Sequence, residues 1–397
     1  MKGQASEADL PVWQREHIFP AKPEGSPYGV LMGKNQAKAF EEFAHLEAHV
    51  AQWKEPAGLI WTPERERCFP PEEEKRLFST LRKRKAALSE VDWSSLRFRA
   101  FLFALPILYY FWKALSEGRL MQSQELGLFS VLWLMFGGIP AYEAWKRKRR
   151  AAQLNSENLS GEAQEVRFEI WLRRQSIPLT KILLGAVAGV FLVQILSGPG
   201  LGVQEAGLIK KGSNGTGYFY GECWRLLTAP MLHGQLIHIV MNGLGLLYLG
   251  RRTEVMAGWA HLALVFLISM LAGGMASAYG LPELPSVGAS GGILGLLGFL
   301  LVFEFLHGKL VPRRATRRLC AALVFTFVVG FVGYNLIDNW AHGGGLFAGM
   351  LYAAIVFPRS SSPHRPRSTL MDRVLGGGAA VVVLAGAFYA VMRMRGF

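Results

Sequence analysis

A succession of apolar runs, each close to the length of a membrane crossing, constrains this chain more than any other feature. They cover roughly residues 100–115, 126–145, 180–197, 232–250, 258–279, 288–306, 318–335, 341–357 and 373–392. A bilayer's hydrocarbon core takes about 20 apolar residues of helix to cross. Lipid offers no partners for backbone polar groups, so each run must bond within itself as a helix. The expected fold class is therefore an all-α polytopic membrane protein. Of the 397 residues, 51% are hydrophobic and 18% charged, and the 45 glycines suit close helix approach.

Lys and Arg total 43 against 29 Asp and Glu, a net charge of +14. In a soluble chain that excess would suggest nucleic acid. Here the cations flank apolar runs, so topology and anionic lipid head groups account for them, and no nucleic-acid partner is expected. Cys68, Cys223 and Cys320 lie far apart, without metal-ligand spacing. No metal site and no disulfide framework are read from them.

The order of the runs divides the chain. Residues 1–97 read as a cytosolic region, with one helix over Asn35–Trp53 and a charged one over Glu72–Lys85. Residues 98–150 form a transmembrane hairpin, or alternatively a re-entrant one, ended by Lys146-Arg147-Lys148-Arg149-Arg150. A polar linker, 151–178, leads to a six-crossing block at 179–358. A basic linker, 359–371, and an additional crossing within 372–397 complete the chain. The first 50 residues hold no apolar stretch of a signal peptide.

Arg173 and Arg174, Arg251 and Arg252, Arg313 to Arg318, and Arg359 to Arg367 all fall on one face, whereas loops 281–287 and 336–340 lack Lys and Arg. The positive-inside bias predicts a cytoplasmic N-terminus. Arg393 and Arg395 would then lie outside, which sets the last crossing against the rule.

With that topology three polar sites share one shallow depth near the outer face. They are Ser290 in Gly288-Ala289-Ser290-Gly291, His342 in Ala341-His342-Gly343-Gly344-Gly345, and His238 with Asn242 one helical turn on. Ionisable groups in a bilayer are costly and point to function. A serine beside an imidazole is a nucleophile beside a base. His238, Asn242 and the Ser290 amide are donors that an oxyanion needs. Gly288 and Gly291 clear space beside Ser290. Gly345 and Gly349 let the sixth helix approach the fourth. Asp338, four residues before His342, could orient the imidazole, but a Ser–His dyad is the preferred reading. Taken singly, GxSG, a membrane histidine, Asn242 and GxxxG are more often packing or interhelical glue. Their ordered occurrence at one depth carries the argument.

Residues about 180–357 resemble the rhomboid family of intramembrane serine proteases. The matching pieces are Glu222-Cys223-Trp224-Arg225-Leu226-Leu227-Thr228 with Leu232-His233, His238-x-x-x-Asn242, Gly288-Ala289-Ser290-Gly291, and Ala341-His342-x-Gly344-Gly345-x-x-x-Gly349. The resemblance implies a six-helix core with a water-filled cavity open to the outer face, Ser290 as nucleophile and His342 as base. It implies an oxyanion hole of His238 and Asn242, and membrane-protein substrates cut in or near their transmembrane helices without a cofactor. Trp224 and Arg225 would belong to a stabilising external loop, and His233 would be structural. Two features depart from the family pattern. Leu294 stands where many relatives carry an aromatic residue packed on the histidine, and the runs at 100–115 and 126–145 lie outside the basic core.

Two rival functions remain at this point. One is an inactive relative that binds membrane clients, although both Ser290 and His342 are present. The other is a transporter using His342 and His238 as a proton relay, although Glu304 is the one acid deep in the six runs. The expected location is a bacterial cytoplasmic membrane. Substrate identity and oligomeric state are not legible.

Overall fold

The computed structural model describes residues 7–32, 36–53, 58–118, 123–153, 156–198, 200–212, 214–334 and 336–396. The chain forms two compact units, one of residues 1–174 with 325–337, the other of residues 175–324 with 338–397.

The first unit opens with a small antiparallel sheet in the order β2-β1-β3, from β1 (Tyr28–Met32), β2 (Gln36–Phe40) and β3 (Leu59–Trp61). Helix α1 (Phe43–Gln52) lies between β2 and β3 and buries Leu46 and Val50. The single helix expected over Asn35–Trp53 is thus half strand. Its alternation over Gln36–Phe40 pairs with β1 from Tyr28↔Phe40 to Met32↔Gln36. The periodicity that suggested a helix is real only from Phe43 onward. Gly29 sits against the ring of Trp61, where any side chain would collide.

Helix α2 (Phe78–Ser116) joins what the sequence suggested were separate elements, so the boundary at residue 97 falls within it. Helices α3 (Gln124–Trp133) and α4 (Ile139–Ala152) are joined by a widened π turn at Leu134–Gly138. Pro140 has no N–H to return to the preceding turn, which favours that widening. Trp133 Nε1 donates to the Ala100 carbonyl at 2.7 Å, so α2 and the π turn meet as a hairpin. Helix α5 (Ser156–Arg174) carries Arg167, whose guanidinium donates to the carbonyls of Trp13, Gln14 and Arg15 and pairs with Glu73 at 3.0 Å.

The second unit is helical. It contains α6 (Pro178–Ser197), the short α7 (Leu201–Ala206) and α8 (Arg225–Thr228), then α9 (Leu236–Ala257), α10 (Trp259–Gly280) and α11 (Ser290–Leu306). Helix α12 (Arg313–Val332) divides between the units after residue 324, and α13 (Asn339–Val356) and α14 (Leu370–Met394) follow. Among the described residues six helical stretches are long and apolar enough to cross a bilayer, and a seventh results if the segment Arg225–Met231 and α9, bent by 97°, count together. The chain is an all-α polytopic membrane protein outside its small N-terminal sheet.

Two buried carboxylates hold this unit. Glu254 accepts from the Leu179 and Thr180 amides and from the Thr180 hydroxyl, at 2.9, 2.8 and 2.6 Å. It thereby satisfies donors that the start of α6 leaves open. Glu304 accepts from Arg252 at 2.5 and 2.9 Å and from Thr316 Oγ1 at 2.8 Å, and the ion pair is fully buried.

Helix α11 is the centre of the unit, packed against α9, α10 and α13, with most of its residues from Gly291 to Glu304 buried. Its 17 residues span about 26 Å at 1.5 Å per residue, short of a bilayer core of about 30 Å. Ser290 is the first residue of this enclosed helix.

Candidate active site

Glycine places the elements of the site. A methyl group on Gly345 of α13 would lie 2.0 Å from the Gly291 carbonyl oxygen, and one on Gly349 1.9 Å from that of Gly295. Gly298 faces the Leu346 carbonyl at 2.2 Å on the same measure. Helices α11 and α13 are therefore in backbone contact over two turns. Helix α10 joins them through Gly273, whose added methyl would stand 2.6 Å from the Ala341 carbonyl. The first turns of α11 and α13, carrying Ser290 and His342, are packed side by side by these contacts.

Gly288 has φ of +122°, a backbone state that disfavours any side chain. A Cβ there would also strike the His238 imidazole at 2.7 Å and stand 3.5 Å from Asn242 Nδ2. The two donors foreseen on α9 thus face the chain just before Ser290. This approach is fixed by backbone bonds. Leu208 and Ser286 exchange N–H···O contacts of 2.9 and 3.1 Å, and the Gly288 amide donates to the Ala229 carbonyl at 3.0 Å.

Asn242 Nδ2 lies 2.8 Å from His233 Nε2, and the rings of His233 and His238 meet edge to face at 5.0 Å. His233 is fully buried, and Gln194 holds its backbone through both polar ends of the amide, at 2.9 and 3.1 Å. It lies against both Asn242 and His238.

Asp338 does not reach toward the imidazole with a hydrogen bond. Its carboxylate caps α13, accepting the Ala341 amide at 2.9 Å, and its other oxygen accepts from the hydroxyls of Ser277 and Ser286, the latter at 2.5 Å. Lys210 Nζ donates to Ser286 Oγ at 2.8 Å and to the Leu284 carbonyl at 2.6 Å. Burial lowers the Lys210 ammonium to a pKa of about 8, partly opposed by the charge of Asp338. His342 Nδ1 is buried with no hydrogen-bond partner among the described residues. A cavity of about 40 Å³ beside Ser290, lined by Gly288, Ser277, Ser286, Asp338 and Arg225 and by the apolar Leu208, Leu226, Met270 and Val287, has room for water.

Sequence reasoning missed Ser277, Ser286 and Lys210. They lie on separate segments, and only folding brings them to Asp338. Leu294 is buried one turn after Ser290.

The loop before α9 is held by Arg225, which is buried. It pairs with Glu222 at 2.7 Å and donates to the Gly207 carbonyl at 2.8 Å. Although burial opposes it, the bond from Arg225 holds the Glu222 carboxyl below its usual range. Trp224 packs edge to face on Tyr389 of α14 and under the guanidinium of Arg393, which pairs with Glu205 at 3.5 Å. The exceptional arginine at the end of the last crossing therefore has an acid and an aromatic face to meet it.

Residues 220–359 match the family profile described as a rhomboid domain, which takes in every candidate site residue from Trp224 to Gly349. The chain carries a rhomboid domain. It is 36% identical over 182 residues to the mitochondrial RHOMBOID-like protein 6 of Arabidopsis thaliana, covering 42% of this chain and 58% of that one. It is 37% identical over 134 residues to the Rhomboid protease GluP of Bacillus subtilis, covering 34% and 26%. It is 30% identical over 177 residues to Inactive rhomboid protein 2 of Homo sapiens, covering 43% and 20%. The shared stretch is thus between a fifth and three fifths of each relative, and the rhomboid family named here holds both proteases and inactive members.

Proposed function

We propose that this rhomboid-domain protein is an intramembrane serine endopeptidase, hydrolysing peptide bonds in or near transmembrane helices of other membrane proteins. The observation that carries the reading is the glycine-to-carbonyl contact of α11 with α13, which packs the turn of Ser290 beside that of His342, whose buried Nδ1 has no hydrogen-bond partner among the described residues.

In this reading Ser290 Oγ attacks the scissile carbonyl while the His342 imidazole takes its proton. The oxyanion is met by the Ser290 amide at the start of α11, where backbone donors are open, and by His238 and Asn242. The imidazolium returns the proton to the leaving amine, and an acyl-enzyme remains on Ser290. Water, deprotonated by the same imidazole, then attacks the ester carbon. The carboxylic acid departs and Oγ regains its proton. A substrate helix must unwind first, because helical hydrogen bonds occupy its carbonyls. Sites with small residues and nearby Gly or Pro are therefore preferred.

The basic loops support a cytoplasmic N-terminus in a bacterial inner membrane, with Ser290 toward the outer face. Residues 1–97 then serve as a cytosolic accessory region, 98–150 as a membrane hairpin and 151–178 as a linker. Residues 179–358 form the protease core, followed by the linker 359–371 and the last crossing within 372–397. Labelling of the liposome-reconstituted protein by a fluorophosphonate tests the chemistry. Modification of Ser290 that is lost in His342→Ala is the expected outcome. Absence of labelling in a folded wild type would favour a client-binding, inactive role.

A further inference from the structure

At the end of α11 opposite Ser290, a recess of about 920 Å³ opens between α11, the start of α12 and the segment after α13. Its wall carries Lys309, Arg313, Arg317 and Arg359. None of these four side chains makes an ion pair or hydrogen bond among the described residues. The acid that shares the wall, Glu304, is already engaged by Arg252 and Thr316. Arg313 and Arg317 are one turn apart on α12, so they share a face and repel. The start of α12 adds the partial positive charge of a helix N-terminus. A concave site with four unneutralised cations, whose one lining acid is already engaged elsewhere, is built for a phosphate group.

One further observation selects the phosphate's source. Phe305, on the same wall, is 73% exposed, and the recess sits at the start of α12, a helix of membrane-crossing length and composition, and at the end of the apolar α11. A head group among cations beside an apolar surface is the chemistry of a phospholipid rather than of a free ion.

We infer that this recess binds the head group of an anionic phospholipid. The inference is independent of whether Ser290 is reactive. Cys320 lines the recess, Cys68 is buried, and Cys223 lies in the loop at the other end of the unit, so a Cys223→Ser chain reports on the recess through one accessible thiol.

The test is the alkylation rate of Cys320 by an uncharged maleimide, for the full chain in a neutral detergent. Short-chain phosphatidylglycerol, short-chain phosphatidylcholine and inorganic phosphate are titrated separately. Saturable protection of at least fivefold by phosphatidylglycerol is expected, with less than twofold from phosphatidylcholine or millimolar phosphate. Protection should vanish in Arg313→Gln/Arg317→Gln/Arg359→Gln and persist in the triple lysine variant. The single Arg359→Gln chain, expected to weaken protection severalfold, covers the case in which the triple variant fails to fold. Equal protection by inorganic phosphate overturns the lipid assignment. No protection by phosphatidylglycerol, or undiminished protection in the glutamine variants, overturns the site.

Discussion

Gly345 on α13 stands so close to Gly291 on α11 that a methyl group on the former would reach the latter's carbonyl oxygen at 2.0 Å. Backbone cannot move aside as a flexible side chain can. Gly345→Ala should therefore cost at least about 3 kcal/mol or force the helices apart. Gly185 on α6 has nothing within 4 Å of its notional Cβ. Gly185→Ala should be neutral or slightly stabilising, since Ala is the better helix former. Unfolding curves of both variants, with proteolysis measured in parallel, check the contrast. Equal tolerance at the two positions would mean that the α11–α13 contact is not needed.

Asp338 is committed to Ala341, Ser277 and Ser286 rather than to His342. Asp338→Ala should lose about 1–3 kcal/mol of stability, by removal of a cap and desertion of buried hydroxyls. Asp338→Asn keeps an acceptor for the Ala341 amide and should retain kcat within tenfold. A triad carboxylate replaced by its amide loses about 10⁴ in kcat. A loss of that size in a folded Asp338→Asn protein would make Asp338 a third catalytic member.

Much of this was legible beforehand, and the limits have physical causes. The apolar runs announced the polytopic all-α class, because lipid demands length and apolarity of each segment separately. Ser290, His342, His238 and Asn242 stood out because polar groups in apolar runs are rare. The partners of Asp338 did not, because Ser277, Ser286 and Lys210 are ordinary residues until three loops converge. The strand at Gln36–Phe40 was hidden for a related reason. Its pairing to β1 is a nonlocal contact, whereas the periodicity of Phe40, Phe43, Leu46 and Val50 imitates a helix. Nor does periodicity reveal that α2 continues unbroken from Phe78 through the first crossing.

Lys210 gives the loop between α7 and α8 a pH response. Its pKa is about 8 in the fold against an ordinary 10.5, chiefly through burial. Below pH 8 both folded and unfolded chains hold the proton, and the cost of burying the charge is fully present. Between pH 8 and 10.5 the unfolded chain binds more protons, so stability rises with pH. The gain is at most about 3 kcal/mol. Denaturation of the wild type and Lys210→Met across that window should show the difference between them shifting toward the wild type. A constant difference would contradict the buried, charged Lys210.

Arg252 and Glu304 form a fully buried pair. Glu304→Gln should cost about 3–5 kcal/mol, because it strands a charge. The double replacement Arg252→Met/Glu304→Leu should cost less than Glu304→Gln alone. Unfolding measurements on the single and double variants decide this. A double variant as damaged as the sum of its parts would show the two side chains to act independently.

The central claim is that Ser290 and His342 together cut peptide bonds within the membrane. Cleavage of a transmembrane reporter bearing Gly and small residues, co-reconstituted in liposomes, tests it most directly. The wild type should release one product, with no product from Ser290→Ala or His342→Ala whose unfolding transitions match the wild type. Residual cleavage by folded Ser290→Ala at the wild-type rate, or a wild type that cuts no reporter across a varied panel, would contradict the claim.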